Sequence, residues 1–131
     1  MKINKIAIIG LGYVGLPLAV SLSKSFKVLG LDINKKRIKE LKSGNDSTNE
    51  VSSINLKKSM NKNLDITSEE SGLSECNIYI VTVPTPVTKS NEPDFSYLRN
   101  ACKMIGSKMK KNAIIIFEST VYPGVTEKIC G

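Results

Sequence analysis

Near its start the chain reads Lys5-Ile6-Ala7-Ile8-Ile9-Gly10-Leu11-Gly12-Tyr13-Val14-Gly15-Leu16-Pro17-Leu18-Ala19-Val20-Ser21-Leu22, and a few residues later Val28-Leu29-Gly30-Leu31-Asp32. An unbroken apolar run before Gly10 has the signature of a strand buried on both faces. Three glycines in the spacing G-x-G-x-x-G follow it directly, and a helical pattern follows them. A second apolar strand then ends in a carboxylate about twenty residues beyond the first glycine. A glycine turn alone says little. A turn framed by two strands, a helix and a terminal acid describes a dinucleotide-binding βαβ unit.

Each position has a physical task in that reading. Gly10 leaves the strand in a conformation that a Cβ would penalise. Gly12 removes a side chain where a pyrophosphate must approach the backbone, and Gly15 lets the helix sit close to the strand. Free N–H groups at the helix start, near Tyr13 and Val14, face the phosphates, and the helix dipole favours an anion there by about 0.3–1 kcal/mol. Pro17 lies in the first helical turn, where its missing N–H costs little. Asp32 can accept both hydroxyls of an adenosine ribose and would repel a 2′-phosphate, which favours NAD over NADP. It could equally cap the helix that follows, and the two roles are compatible.

Working outward, Val14, Leu18 and Leu22 recur every four residues and define the expected packed face of the first helix. Asn34 to Ser43 reads as a second helix with Ile38 and Leu41 inward and Gly44 as its stop. Asn45 to Ser53 is polar and reads as loop. Ile54 to Met60 has the pattern of a short helix, Leu64 to Thr67 of a short strand, and Ser68 to Glu75 of a loop or single helical turn. Asn77 to Val83 is a strong strand that Pro84-Thr85-Pro86 ends abruptly. Thr85 is thereby held at the carboxyl end of a strand, where open α/β sheets place their ligands; a plain turn residue is the other reading. Phe95 to Met109 repeats apolar residues as a helix would. Ala113 to Phe117 is a last solid apolar strand, and Val125 to Cys130 looks like the start of a further helix. The alternation of strands and helices predicts an α/β fold, a doubly wound parallel sheet with helices on both faces. Gly12, Asp32, Thr85 and Thr120 would then share one crevice.

Composition narrows the function classes. At 131 residues the chain is one domain by length, and no apolar run has the length of a membrane helix. The N-terminus lacks the pattern of a signal peptide, so a cytoplasmic protein is expected. Cys76, Cys102 and Cys130 lie far apart and there is no histidine, which suggests three reduced thiols rather than a disulfide framework or a metal site. The formal charge is +7. Its cations, among them Lys35, Lys36, Arg37, Lys39 and Lys42, fall at helical spacings on expected solvated faces. No aromatic-interleaved basic patch appears, so neither nucleic acid nor a membrane is an expected partner.

Taken together, Gly10 to Pro17, Asp32-Ile33-Asn34, Val83-Pro84-Thr85-Pro86 and Glu118-Ser119-Thr120-Val121-Tyr122-Pro123-Gly124 resemble the amino-terminal part of the UDP-glucose/GDP-mannose dehydrogenase family. The Val-Pro-Thr-Pro form followed by Pro93-Asp94 is most similar to the branch that oxidises UDP-N-acetylhexosamines for surface polysaccharides. The resemblance covers essentially the whole chain. It implies a Rossmann-like NAD-binding domain over residues 1–131, without the central and UDP-sugar-binding domains. It further implies backbone contacts from Tyr13 and Val14 to the pyrophosphate, and Asp32 on the adenosine ribose. Arg37 matches a basic position that helps hold that ribose, although it could be one more solvated cation. Thr85 and Thr120 would lie along the cofactor toward the nicotinamide. The implied reaction oxidises the C6 alcohol of a UDP-sugar to a carboxylate with two NAD, in a homo-oligomer when full length. The family's nucleophilic cysteine lies in a later glycine-rich motif that Cys130 does not match. No catalytic residue is therefore assigned, and the chain reads as a fragment that binds NAD without turning over alone. Two alternatives remain open: another NAD-dependent dehydrogenase of the hydroxy-acid or phosphogluconate type, and a non-catalytic nucleotide-binding module.

Overall fold

The computed structural model describes residues 2–118. Five parallel strands, β1 (Ile6–Ile9), β2 (Val28–Leu31), β3 (Leu64–Thr67), β4 (Ile78–Val81) and β5 (Ile114–Phe117), form one sheet in the order β3-β2-β1-β4-β5. The helices are α1 (Gly15–Leu22), α2 (Lys35–Lys42), α3 (Ser53–Met60) and α4 (Ser96–Lys108), and Ser71–Glu75 forms a 3₁₀ turn. This is the expected doubly wound α/β sheet. Thr120, Cys130 and the helix expected from Val125 lie outside the described residues.

Strand β1 sits at the centre and is buried along its whole length, as its uninterrupted apolar run requires. Its residues alternate between two cores. Ile6 and Ile8 face Leu16, Ala19 and Val20 of α1, with Ile38 and Leu41 of α2 and Leu56 of α3 in the same cluster. Ala7 and Ile9 belong to the opposite cluster with Leu73 and with Leu98, Ala101 and Ile105 of α4. Tyr79 is buried in that second cluster, and its hydroxyl donates to the carbonyls around Leu73 and Cys76, at 2.6 Å to Leu73. A buried phenol therefore keeps a partner for its polar end.

Two expectations need correction. The packed face of α1 is Gly15, Leu16, Ala19 and Val20. Leu18 and Leu22 are only partly buried, and Val14 is 56% exposed. The cause is the close approach at Gly15, which turns that side of the helix onto the sheet. Strand β5 is not buried throughout: Ile115 and Phe117 pack on the second core while Ile114 and Ile116 are exposed. Cys76 is a free, buried thiol, and burial pushes its pKa up to about 11, so it carries no reactive thiolate at neutral pH.

Candidate functional site

The carboxyl ends of β1, β2 and β4 open into one cleft of about 790 Å³. Gly10, Gly12, Tyr13 and Val14 line it from the glycine turn, Asp32 and Arg37 from the β2–α2 side, and Thr85 from beyond β4. Gly15 lies just behind, as the first residue of α1. The structure thus brings together the described residues singled out from the sequence. Tyr97 and Met104 of α4 and Glu118 after β5 also line the cleft. Sequence reading placed the two α4 residues on a helix without a site role, and Glu118 only within a motif. Nothing local in a helical pattern says which face will overlook a cleft.

The three glycines are required for three different reasons. Gly10 has φ +101°, and a Cβ there would meet the Thr82–Val83 backbone at 3.0 Å. At Gly15 a Cβ would fall on the Gly10 carbonyl and crowd the Thr82 hydroxyl. Both are demands of the protein on itself. Gly12 is different: its Cβ would meet no atom of the other described residues within 4 Å, its two chain neighbours aside, and its φ is not in the left-handed region. The fold makes no steric demand for glycine there, and glycine is entropically unfavourable. The space it leaves belongs to the cleft. The N–H groups of Gly12, Tyr13 and Val14 make no hydrogen bond among the described residues. Donors left open at the start of a helix favour an anion.

Asp32 holds the turn from the next strand. One carboxylate oxygen accepts from the Leu11 N–H at 2.9 Å, and the other from the Asn34 N–H at 2.9 Å. A carboxylate has about four lone-pair sites, so each oxygen can still accept from a hydroxyl. The cap of α2 falls to Asn34 rather than Asp32: the Asn34 side chain accepts from the Arg37 N–H. Such a cap contributes about 1 kcal/mol.

Arg37 is not a solvated cation. The residue is 9% exposed. Its Nε donates to the Leu11 carbonyl at 2.8 Å, and its Nη1 donates to Glu40 at 2.7 Å and to Asp46 at 2.9 Å. Its Nη2 is buried without a hydrogen-bond partner among the described residues. Arg37 lines the cleft, while its Nη2 is closed off from solvent.

Asp46 lies in the segment that reads as polar loop, where no local pattern signals its role. Its side chain is fully buried. Besides Arg37 it accepts from the Thr48 N–H and hydroxyl and from the Glu50 and Val51 N–H groups. Burial alone would raise its pKa. The hydrogen bonds from Thr48, Val51 and Arg37 overcome that and hold it down at about 2.

Residues 4–131 match the UDP-glucose/GDP-mannose dehydrogenase family, NAD binding domain. The chain is 50% identical over 130 residues to a UDP-N-acetyl-D-glucosamine 6-dehydrogenase of Pseudomonas aeruginosa, covering 99% of this chain and 30% of that protein. It is 47% identical to protein CapL of Staphylococcus aureus, over 97% of this chain and 29% of that protein. A solved UDP-D-ManNAc dehydrogenase of Pyrococcus horikoshii superposes with a TM-score of 0.88 at 36% identity, covering 95% of this chain and 30% of that one. The chain therefore spans about 30% of the length of these relatives. A turn with open N–H groups, a side-chain-free approach at Gly12 and an acid with acceptor capacity to spare fit a dinucleotide. This chain belongs to the UDP-glucose/GDP-mannose dehydrogenase family, to its NAD-binding domain.

Proposed function

We propose that residues 1–131 are the cofactor domain of a nucleotide-sugar 6-dehydrogenase whose substrate is a UDP-N-acetylhexosamine. The observation that carries the reading is the open approach at Gly12, with unpartnered N–H groups on one side and Asp32 on the other. These residues would hold the pyrophosphate and the adenosine ribose of NAD. Arg37 would help hold that ribose, and Thr85 and Thr120 would extend the contact toward the nicotinamide. NAD supplies hydride acceptance at the sugar carbon, and the domain's part is to orient it. The relatives' names support the substrate class: two of them are UDP-N-acetylhexosamine dehydrogenases.

In this reading a longer chain oxidises the C6 alcohol to the uronic acid with two NAD, for surface polysaccharide, in the cytoplasm and as a homo-oligomer. Among the described residues no helix is long and apolar enough to cross a membrane, which is compatible with that setting. The 131 residues contain no match to the family's nucleophilic cysteine motif and would not turn over alone.

The test has two parts. NAD should raise the melting temperature of the 131-residue chain more than NADP does, and equal shifts would remove Asp32 from its role. A longer chain carrying this domain should reduce NAD with UDP-N-acetylhexosamines in preference to UDP-glucose. Preference for UDP-glucose, or for a hydroxy acid, would overturn the substrate assignment.

A further inference from the structure

Two adjacent peptide planes form the glycine turn, and three side chains from elsewhere in the chain hold them. In the Gly10–Leu11 plane, the Thr82 hydroxyl donates to the Gly10 carbonyl at 2.6 Å and Asp32 accepts from the Leu11 N–H at 2.9 Å. In the Leu11–Gly12 plane, the Leu11 carbonyl accepts from Arg37 Nε at 2.8 Å. A trans peptide is planar with its C=O and N–H opposed. The bond from Arg37 to the Leu11 carbonyl therefore sets the direction of the Gly12 N–H, which is one of the open donors of the cleft. Arg37 is in turn held by Asp46, whose side chain is fully buried and takes four further hydrogen bonds from Thr48, Glu50 and Val51.

We infer that Asp46 is a positioning residue for the phosphate cradle: it holds Arg37 against Leu11 and so orients the Gly12 N–H, from a loop that lies outside the cleft. Asp46 is not among the residues that line the cleft, so any effect on a ligand reaches it through Arg37. The inference rests on the reading of this cleft as a dinucleotide site. It assigns a purpose to the Asn45–Val51 segment that no sequence motif suggested. It also divides the Arg37 guanidinium, with Nε on the turn at Leu11 and Nη1 on its two carboxylate supports, Glu40 and Asp46.

The test compares ligands that do and do not carry a pyrophosphate. Binding of ADP, NAD and adenosine to wild type and Asp46→Asn is followed by amide NMR titration, with thermal melts of the unliganded proteins. The expected result is a loss of about tenfold or more in ADP and NAD affinity, as for a charge-assisted hydrogen bond. Adenosine affinity should fall much less, through the Arg37 contact to the ribose alone, and the Gly12 amide signal should already be displaced in the free variant. Equal losses for adenosine and ADP would place the effect on the ribose and overturn the inference. A lowered melting temperature with all three affinities retained would make Asp46 merely structural and overturn it too. If Asp46→Asn does not fold, Thr48→Val serves instead, since it removes a hydroxyl that holds the Asp46 carboxylate from outside the cleft; the same pattern is expected at smaller size and the same outcomes decide. Absence of ADP binding by wild type would instead remove the dinucleotide reading on which the inference stands.

Discussion

The two walls of the cleft are built by different means. On the glycine-turn side the backbone is held from outside: Thr82, Asp32 and Arg37 each bond the main chain of the turn, and Asp46 holds Arg37. Beyond β4 the wall is Pro84-Thr85-Pro86, where proline rings restrict the chain covalently. The chain then turns back through a short bridge between Val87 and Pro93, with backbone bonds from Thr88 to Glu92 and from Asp94 to Pro86. The first wall stores its shape in long-range contacts among buried polar groups. The second stores it in local stiffness, with Pro84 and Pro86 exposed. A wall of the first kind can be damaged from a distance, and a wall of the second kind resists the loss of any one side chain.

The comparison can be broken at its hardest point with Gly15→Ala. The new Cβ has nowhere to go but into the Gly10 carbonyl, and overpacking against backbone should cost about 3 kcal/mol or more in urea denaturation. A loss below about 1 kcal/mol would show that the turn is softer than described. Gly12→Val separates fold from function on the same turn. It should leave the melting temperature within a few degrees of wild type, since nothing crowds that position. NAD binding should fall at least a hundredfold, about 2.7 kcal/mol by calorimetry; retained binding would contradict the cradle.

Acid titration probes the support of the first wall. The folded pKa of Asp46 is about 2, below its ordinary value of 3.8. The unfolded chain therefore binds the extra proton first. The stability from this group is fully present above about pH 4 and is lost as pH falls through 2, amounting to about 2 kcal/mol. Asp46→Asn should flatten the wild-type dependence in that window, and parallel curves would deny the group its role. Glu40 and Asp94, whose carboxyls also lie below their ordinary range through hydrogen bonds to Ser47 and Ser96, will leave a residual slope in both proteins.

Asp32→Asn should reduce the preference for NAD over NADP about tenfold, because repulsion of a 2′-phosphate goes with the charge. The remaining amide can still accept from Leu11, so the fold should survive. The smallest effect is expected on the second wall. Pro84→Ala should lower stability by less than about 1 kcal/mol, chiefly by loosening the unfolded chain. A larger loss in denaturation would mean that this wall also depends on tertiary contacts.

How much of this was readable in advance differs between the walls in the same way. The strand, the glycine spacing, the acid at the end of β2 and the prolines after β4 are local signals, and the structure places them in one cleft. Helical spacing among Lys35, Lys36, Lys39 and Lys42 makes Arg37 look like one more cation of a charged face as readily as a ribose contact. Its burial follows from Asp46 and Leu11, which lie far from it in pattern though not in space. The face of α1 was misjudged because a four-residue apolar repeat does not register how closely Gly15 approaches the strand. Glu118 has no local signal of a role, because only the arrival of β5 beside β4 brings it to the cleft.

By itself the sequence determined the order of strands and helices, the site of the glycine turn and the carboxylate facing it. Those features depend on periodicity, backbone freedom and short-range stereochemistry. Only the tertiary structure decided which polar side chains would be buried, which peptide groups they would hold and how far each apolar face would be covered. A buried hydrogen-bonding group must be satisfied, and its partner is fixed by where distant segments come to rest.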